Sequence, residues 1–470
     1  MENNLTSKKN IITETASLIN DFNFQINDCA IPAVEIAYEQ DKIKNTISKI
    51  DAKLLIKTLK TGTNPDCRLV GKLYVGTSPV LSTIQDEIDC VSYGSSSARF
   101  ICGEYGTGKT FNLKLCGAAA LEKNMAISHV ILDKDRAMQK IHEIYTEIVK
   151  NLKTEDCKSF LEMLDKWIEK LVATAKTGSI VANNYKEYLI QSLRMNLKNI
   201  EETSGAFAIA LANYIQAKIN GNNEYLTHAI AWISGEHNLN ATAKRNLGIR
   251  GEVDKTNGLS FLKGLLKLIK LMGYSGTLIL FDECEHTRQI TRTNSRNGAY
   301  QNIREIVDLS ADNSFESTLF IFAGNSEWYN DADRGIQSYQ ALNDRISSRM
   351  KGKYKNNRTP IITLQNIDPA GLEILMERIC SIYDTAFNYN AMKKIKPVMS
   401  QLIEFYRESN GLTGGRVHPR TFVKTFVELL EILEQNPEIK DATEIIEIFS
   451  DHAEESDNQF NENEKFEEEF

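Results

Sequence analysis

Gly103-Glu104-Tyr105-Gly106-Thr107-Gly108-Lys109-Thr110 follows the run Arg99-Phe100-Ile101-Cys102 and opens the helical pattern that starts at Phe111. The order is strand, then G-x-x-x-x-G-K-T, then helix. Small residues let the backbone curl so that successive N–H groups and a helix N-terminus face phosphate oxygens. In that geometry Lys109 reaches the β and γ phosphates and Thr110 holds Mg²⁺. The expected ligands are therefore ATP and Mg²⁺, with Gly103, Glu104, Tyr105, Gly106, Thr107, Gly108, Lys109, Thr110 and Phe111 around the nucleotide. The bland alternative is a glycine-rich turn between a strand and a helix, and the flanking elements weigh against it.

A second stretch answers the first. Leu278-Ile279-Leu280-Phe281-Asp282-Glu283 reads as a buried strand ending in two carboxylates. This is a Walker B pattern with a following acid: Asp282 is placed beside Mg²⁺, and Glu283 facing a water that attacks the γ-phosphate. Glu285 and His286 come next. An acid-rich helix start accounts for Glu285, and a lone histidine carries no metal inference.

Between these stretches, Ala126 to Leu132 reads as a second buried strand, and helix alternating with strand implies a parallel sheet. Residues from about 137 to 260 contain no convincing strand. Phe160, Met163, Leu164, Trp167, Ile168, Leu171 and Val172 form a stripe at helical period, as do Phe207, Leu211, Tyr214 and Ile215. Such stripes read as core, not as a cofactor pocket. Thr318 to Asn325 is a further apolar strand ending in an amide, and Pro360 to Leu364 a last one. Beyond Asp368 the pattern is helical, with a helix begun by Pro419.

Composition sets outer bounds. Of the formal net charge of −8, most lies in the last twenty residues, where nine acids face Lys465 alone. The body is therefore close to neutral, which leaves room for a local basic patch. Arg349 to Arg358 holds five basic residues and no acid; it reads as a solvated loop, with contact to a nucleic-acid backbone as the alternative. No apolar run is long enough to span a membrane, the N-terminus lacks the order of a secretory signal, and the eight cysteines include no C-x-x-C pair. The expectation is a cytoplasmic protein without membrane contact, disulfides or zinc.

The plan resembles that of AAA+ ATPases, and more narrowly the BrxD group of ATP-binding proteins from bacterial BREX phage-defence systems. The segments that carry the resemblance are Gly103 to Phe111, Asp282-Glu283-Cys284-Glu285, Arg334 to Leu342 and Pro419-Arg420; Thr61-Gly62-Thr63-Asn64-Pro65 and Val75-Gly76 are also similar. It implies an α/β P-loop NTPase with a large helical insertion and a C-terminal helical lid. The units expected are an N-terminal arm (1–46), a helical lead-in (47–98), an AAA+ nucleotide-binding domain (99–368), a lid (369–450) and an acidic disordered tail (451–470).

The resemblance also implies roles. Asn325 takes the position of sensor 1, which orients the attacking water, although an asparagine that merely ends a strand fits equally. Arg420 takes that of sensor 2, with Arg416 as alternative. Arg345 takes that of an arginine reaching into a neighbour's ATP site, with Arg349 second and a surface ion pair to Asp344 or Asp333 as the bland account. The implied partners are further copies of the chain and other defence-system proteins, a helicase among the candidates, with DNA left open. The function implied is ATP hydrolysis driving assembly or remodelling of partners. The rivals are a helicase loader or DNA-dependent ATPase, and a scaffold that holds ATP without turnover. The interval after the last strand is too short for a winged-helix domain as well as a lid.

Overall fold

The computed structural model describes residues 47–451 apart from 77–78, 135, 178–196, 237–238, 349–355, 357 and 412–418. The arm at 1–46, the acidic tail, Arg349, Arg416 and nearly all of the basic run therefore lie outside the described residues.

Five strands form one sheet: β1 (Ser96–Cys102), β2 (Ala126–Ile131), β3 (Thr277–Asp282), β4 (Thr318–Gly324) and β5 (Ile361–Thr363). Their order is β2-β3-β4-β1-β5, and every neighbouring pair is parallel. β3 and β4 are buried along their whole length, which is why they appear in the sequence as unbroken apolar runs.

Successive side chains of a strand point to opposite faces, and the two faces of this sheet pack into different cores. Leu278, Leu280, Leu319, Ile321 and Ile101 meet the helices Pro79–Ser92 and Lys109–Glu122. Gly117 of the latter helix fits because a side chain there would meet Cys67 Sγ at 3.0 Å and Ile127 at 3.4 Å. On the other face, Phe281, Phe322 and Phe100 lie in register across β3, β4 and β1. Their rings stack with centroids 4.9 and 5.1 Å apart, adding directional contact to simple burial.

That second face carries the helices between β2 and β3: Ile141–Lys150, Phe160–Thr177, Gly205–Asn220, Asn223–Ile233 and Gly258–Leu271, with shorter ones. Phe261 stands at their centre, with Tyr145, Phe207 and Trp232 at 5.8, 5.9 and 5.1 Å. The aromatic content of this block is packed core.

A third core joins Pro369–Phe387, Met399–Gly411 and Pro419–Gln435 to the helix Lys49–Lys60 from the start of the chain. Ala52, Leu55, Ile56 and Leu59 form its buried stripe, and Lys60 pairs with Glu431 at 2.6 Å. The 47–98 segment is thus divided: its first helix packs with the C-terminal helices and its later part with the sheet. Phe111 packs against both cores, coupling the C-terminal helices to the helix that follows the glycine-rich loop.

Candidate functional site

In a parallel sheet all C-terminal strand ends share one edge. Cys102 lies opposite Gly324, and Phe281 opposite Phe322. The register brings the turn after β1, the β4 terminus and the acids after β3 together, where open α/β sheets bind ligands.

The turn between Cys102 and Lys109 is shaped by its glycines. Gly106 and Gly108 adopt φ of 77° and 86°, a left-handed backbone that other residues resist. Gly103 has a different reason: a Cβ there would lie 2.5 Å from Thr107 Oγ1 and 3.1 Å from Leu364. Thr107 donates its hydroxyl to the Glu104 carbonyl at 2.7 Å. Lys109 is buried, with Nζ donating to the Gly103 carbonyl at 3.2 Å and 3.5 Å from Glu285 Oε1.

Thr110 Oγ1 donates to Asp282 Oδ2 at 2.7 Å, so the two residues expected at a metal meet directly across the sheet edge. His129, from β2, places Nε2 at 3.5 Å from the same oxygen. Burial pushes the Asp282 carboxyl up, but His129 and Thr110 together outweigh it and hold it below the usual carboxylate range. Glu283 behaves oppositely. Burial first, then repulsion from Glu285 and Asp282, raises it to about 7. Its backbone is left-handed at φ 56°, uncommon for a residue with a side chain and a mark of strain at functional sites.

A cavity of about 350 Å³ opens over the turn. Tyr105 to Asn112 and Glu283 line one side; Gly62 to Pro65, Tyr74-Val75 and Gln365 to Asp368 line another; Pro419 to Thr421 close it from the C-terminal helices. Arg420 lies in this lining and donates from Nη1 to Tyr105 Oη at 3.3 Å. The arginine that opens the last long helix therefore does face the turn.

Other expected residues stand elsewhere. Gly103 and Glu104 are not part of the cavity lining, and Ser326 donates its hydroxyl to Glu104. Asn325 caps the helix Ser326–Asn330, its Oδ1 accepting from Trp328 N at 2.9 Å, which leaves Nδ2 available. Arg345 pairs with Asp308 of the helix Thr293–Ala311 and donates to the Ala341 carbonyl at 2.5 Å; neither Asp344 nor Asp333 is its partner.

Several cavity and site residues carry little signal in the sequence. Thr63 to Pro65 figure there only in a resemblance. His129 is one polar residue within an apolar strand. Glu285 is hidden by a sufficient local explanation, the helix start.

A parallel five-stranded α/β sheet with a glycine-rich turn between strand and helix is consistent with a P-loop NTPase. The chain belongs to the BREX system ATP-binding protein BrxC/D family, whose description matches residues 47–448. It is thus a member of a family of ATP-binding proteins of BREX systems, and other proteins of such a system are its partners. No curated protein matches the chain. Among the described residues no helix is long and apolar enough to cross a membrane.

Proposed function

We propose that this protein is a Mg²⁺-dependent AAA+ ATPase whose nucleotide cycle drives assembly or remodelling of its partners in a BREX-like anti-phage defence system. The observation that carries the reading is Glu283. Glu283 lines the cavity together with Lys109 on a left-handed backbone, and burial with repulsion from Glu285 and Asp282 raises its carboxyl to about 7. A general base works best when its pKa lies near the operating pH. A scaffold that only held ATP would have no use for such a group.

The residues fit the ligands. Left-handed Gly106 and Gly108 present the turn's N–H groups, and Lys109 supplies the cation at the terminal phosphates. Among the described residues no group of three or more His, Cys, Asp or Glu could hold a metal alone, so Thr110 and Asp282 would hold Mg²⁺ together with phosphate oxygens. Bound there, the ion would neutralise charge on the transferring phosphoryl group. Glu283 takes the proton of the attacking water, Asn325 Nδ2 orients that water, and Arg420 approaches the γ-phosphate from the lid at 369–450.

Glu283→Gln tests the reading. The variant should bind ATP like the wild type while hydrolysis falls about 10²–10⁴-fold; hydrolysis at the wild-type rate would remove Glu283 from the role of base.

Arg345 is the residue we assign to a neighbour's site in a homo-oligomer. Its pairing with Asp308 is half-exposed, and exchanging such a partner costs about 0–1 kcal/mol. Arg345→Ala and Lys109→Ala, each inactive alone, should recover part of the hydrolysis when mixed. Absence of recovery in demonstrated mixed assemblies would leave Arg345 a structural residue.

A further inference from the structure

Glu285 occupies the N-cap position of the short helix His286–Gln289, but its side chain caps nothing. The carboxylate turns inward instead and is only 14% exposed. Oε1 lies 3.5 Å from Lys109 Nζ, and Oε2 is buried with no hydrogen-bond partner among the described residues. Leaving a buried carboxylate oxygen unsatisfied is unfavourable, and a helix start needs no such arrangement. The lysine that the glycine-rich turn aims at phosphate thus already has an anion against it.

We propose that Glu285 is a positioning residue that competes with the terminal phosphates of a nucleoside triphosphate for Lys109. In the nucleotide-free protein the carboxylate holds the ammonium near the Gly103 carbonyl; nucleotide binding replaces one anion by another. The inference rests on the turn being the ATP site and goes beyond it, because it makes Glu285 a determinant of affinity.

Two consequences follow from the chemistry. Nucleotide must break a buried ion pair before it gains its own, and the displaced carboxylate remains close to the incoming negative charge. Both oppose binding. A residue that merely stabilised the fold, empty and bound alike, would weaken binding or leave it alone when neutralised.

The test measures ATP affinity by calorimetry, with Mg²⁺, on the full chain. Glu285→Gln keeps the shape and removes the charge, and should bind ATP about tenfold tighter, equivalent to about 1.4 kcal/mol. Should that variant not fold, Glu285→Met removes the charge at similar side-chain length and carries the same expectation. A double-mutant cycle in thermal stability between Lys109→Met and Glu285→Gln, without nucleotide, should show favourable coupling of the native pair. A wild type that bound no ATP would overturn the reading of the turn. A wild type that binds ATP, beside a folded neutral variant that binds no tighter, would overturn the role of Glu285 alone.

Discussion

The ends of β3 and β4 lie side by side on one sheet edge, and each closes an apolar strand with polar residues, yet they are built in opposite ways. After β4 the side chains of Asn325 and Ser326 are engaged within the fold, while the buried Trp328 Nε1 has no hydrogen-bond partner among the described residues. Asn325 caps a helix, Ser326 donates to Glu104, and Gly324 lies so close to Trp328 that a Cβ would meet its ring at 2.3 Å. The backbone at Asn325 is relaxed, with φ −79° and ψ 170°. After β3, Glu283 is held in a left-handed backbone with its carboxyl raised to about 7, and Glu285 keeps a buried oxygen without a partner among the described residues. The β3 end thus combines a strained backbone with buried carboxylates, and the β4 end has neither. Strain persists only where the surrounding structure enforces it and is often part of a site's mechanism, so the contrast supports the role proposed for Glu283.

The contrast can be broken by substitution. Its largest expected effect is the loss of hydrolysis in Glu283→Gln, by about 10²–10⁴-fold, with the fold intact; if Asn325→Ala caused an equal loss, the two ends would share the chemistry.

The next effect is on stability against pH. Glu283 binds its proton more readily in the folded chain than at its ordinary value of 4.5. Its contribution to stability is therefore complete below about pH 4.5 and is lost as pH rises through about 7. Relative to Glu283→Gln, the nucleotide-free wild type should lose roughly 1–3 kcal/mol across that window, and parallel denaturation curves of the two proteins from pH 4 to 8 (round values about the window) would read it. A constant difference would mean that the carboxyl is not raised.

At β4 the expected losses are structural. Gly324→Ala should cost about 1–3 kcal/mol, because Trp328 must shift inside a packed core. Denaturant midpoints would show it, and an unchanged midpoint would mean that the ring has room to move.

The smallest effect separates cap from chemistry at Asn325. Asn325→Ala removes the cap and should cost about 1 kcal/mol. Asn325→Asp keeps an acceptor for Trp328 N and should cost less, while losing the Nδ2 donor. If Asn325→Asp folds as well as wild type and hydrolyses ATP at the same rate, Asn325 serves only as the cap.

What the sequence conveyed well was whatever a short window contains. The turn from Gly103 to Thr110 is legible because a glycine-shaped turn between a strand and a helix is written along one piece of chain. The ends of β3 and β4 are legible because a buried strand must be apolar until it stops. The helical nature of the block between β2 and β3, and its role as core, followed from periodicity, which reports one buried face whatever lies against it.

What only the tertiary structure decided is which separated segments meet. The helix Lys49–Lys60 reads locally like any amphipathic helix; its partner, more than three hundred residues away at Glu431, is set by the shape of the third core. Arg345 could face any nearby acid, and Asp308 proved to be the one within reach. Glu285 satisfies a local rule for helix starts, yet its carboxylate lies 3.5 Å from Lys109, brought close by the order of β1, β4 and β3. Local pattern determines whether a segment is strand, helix or phosphate-binding turn. An ion pair needs its charged groups within about 4 Å of one another, and so is settled only once the sheet has placed its strand ends side by side.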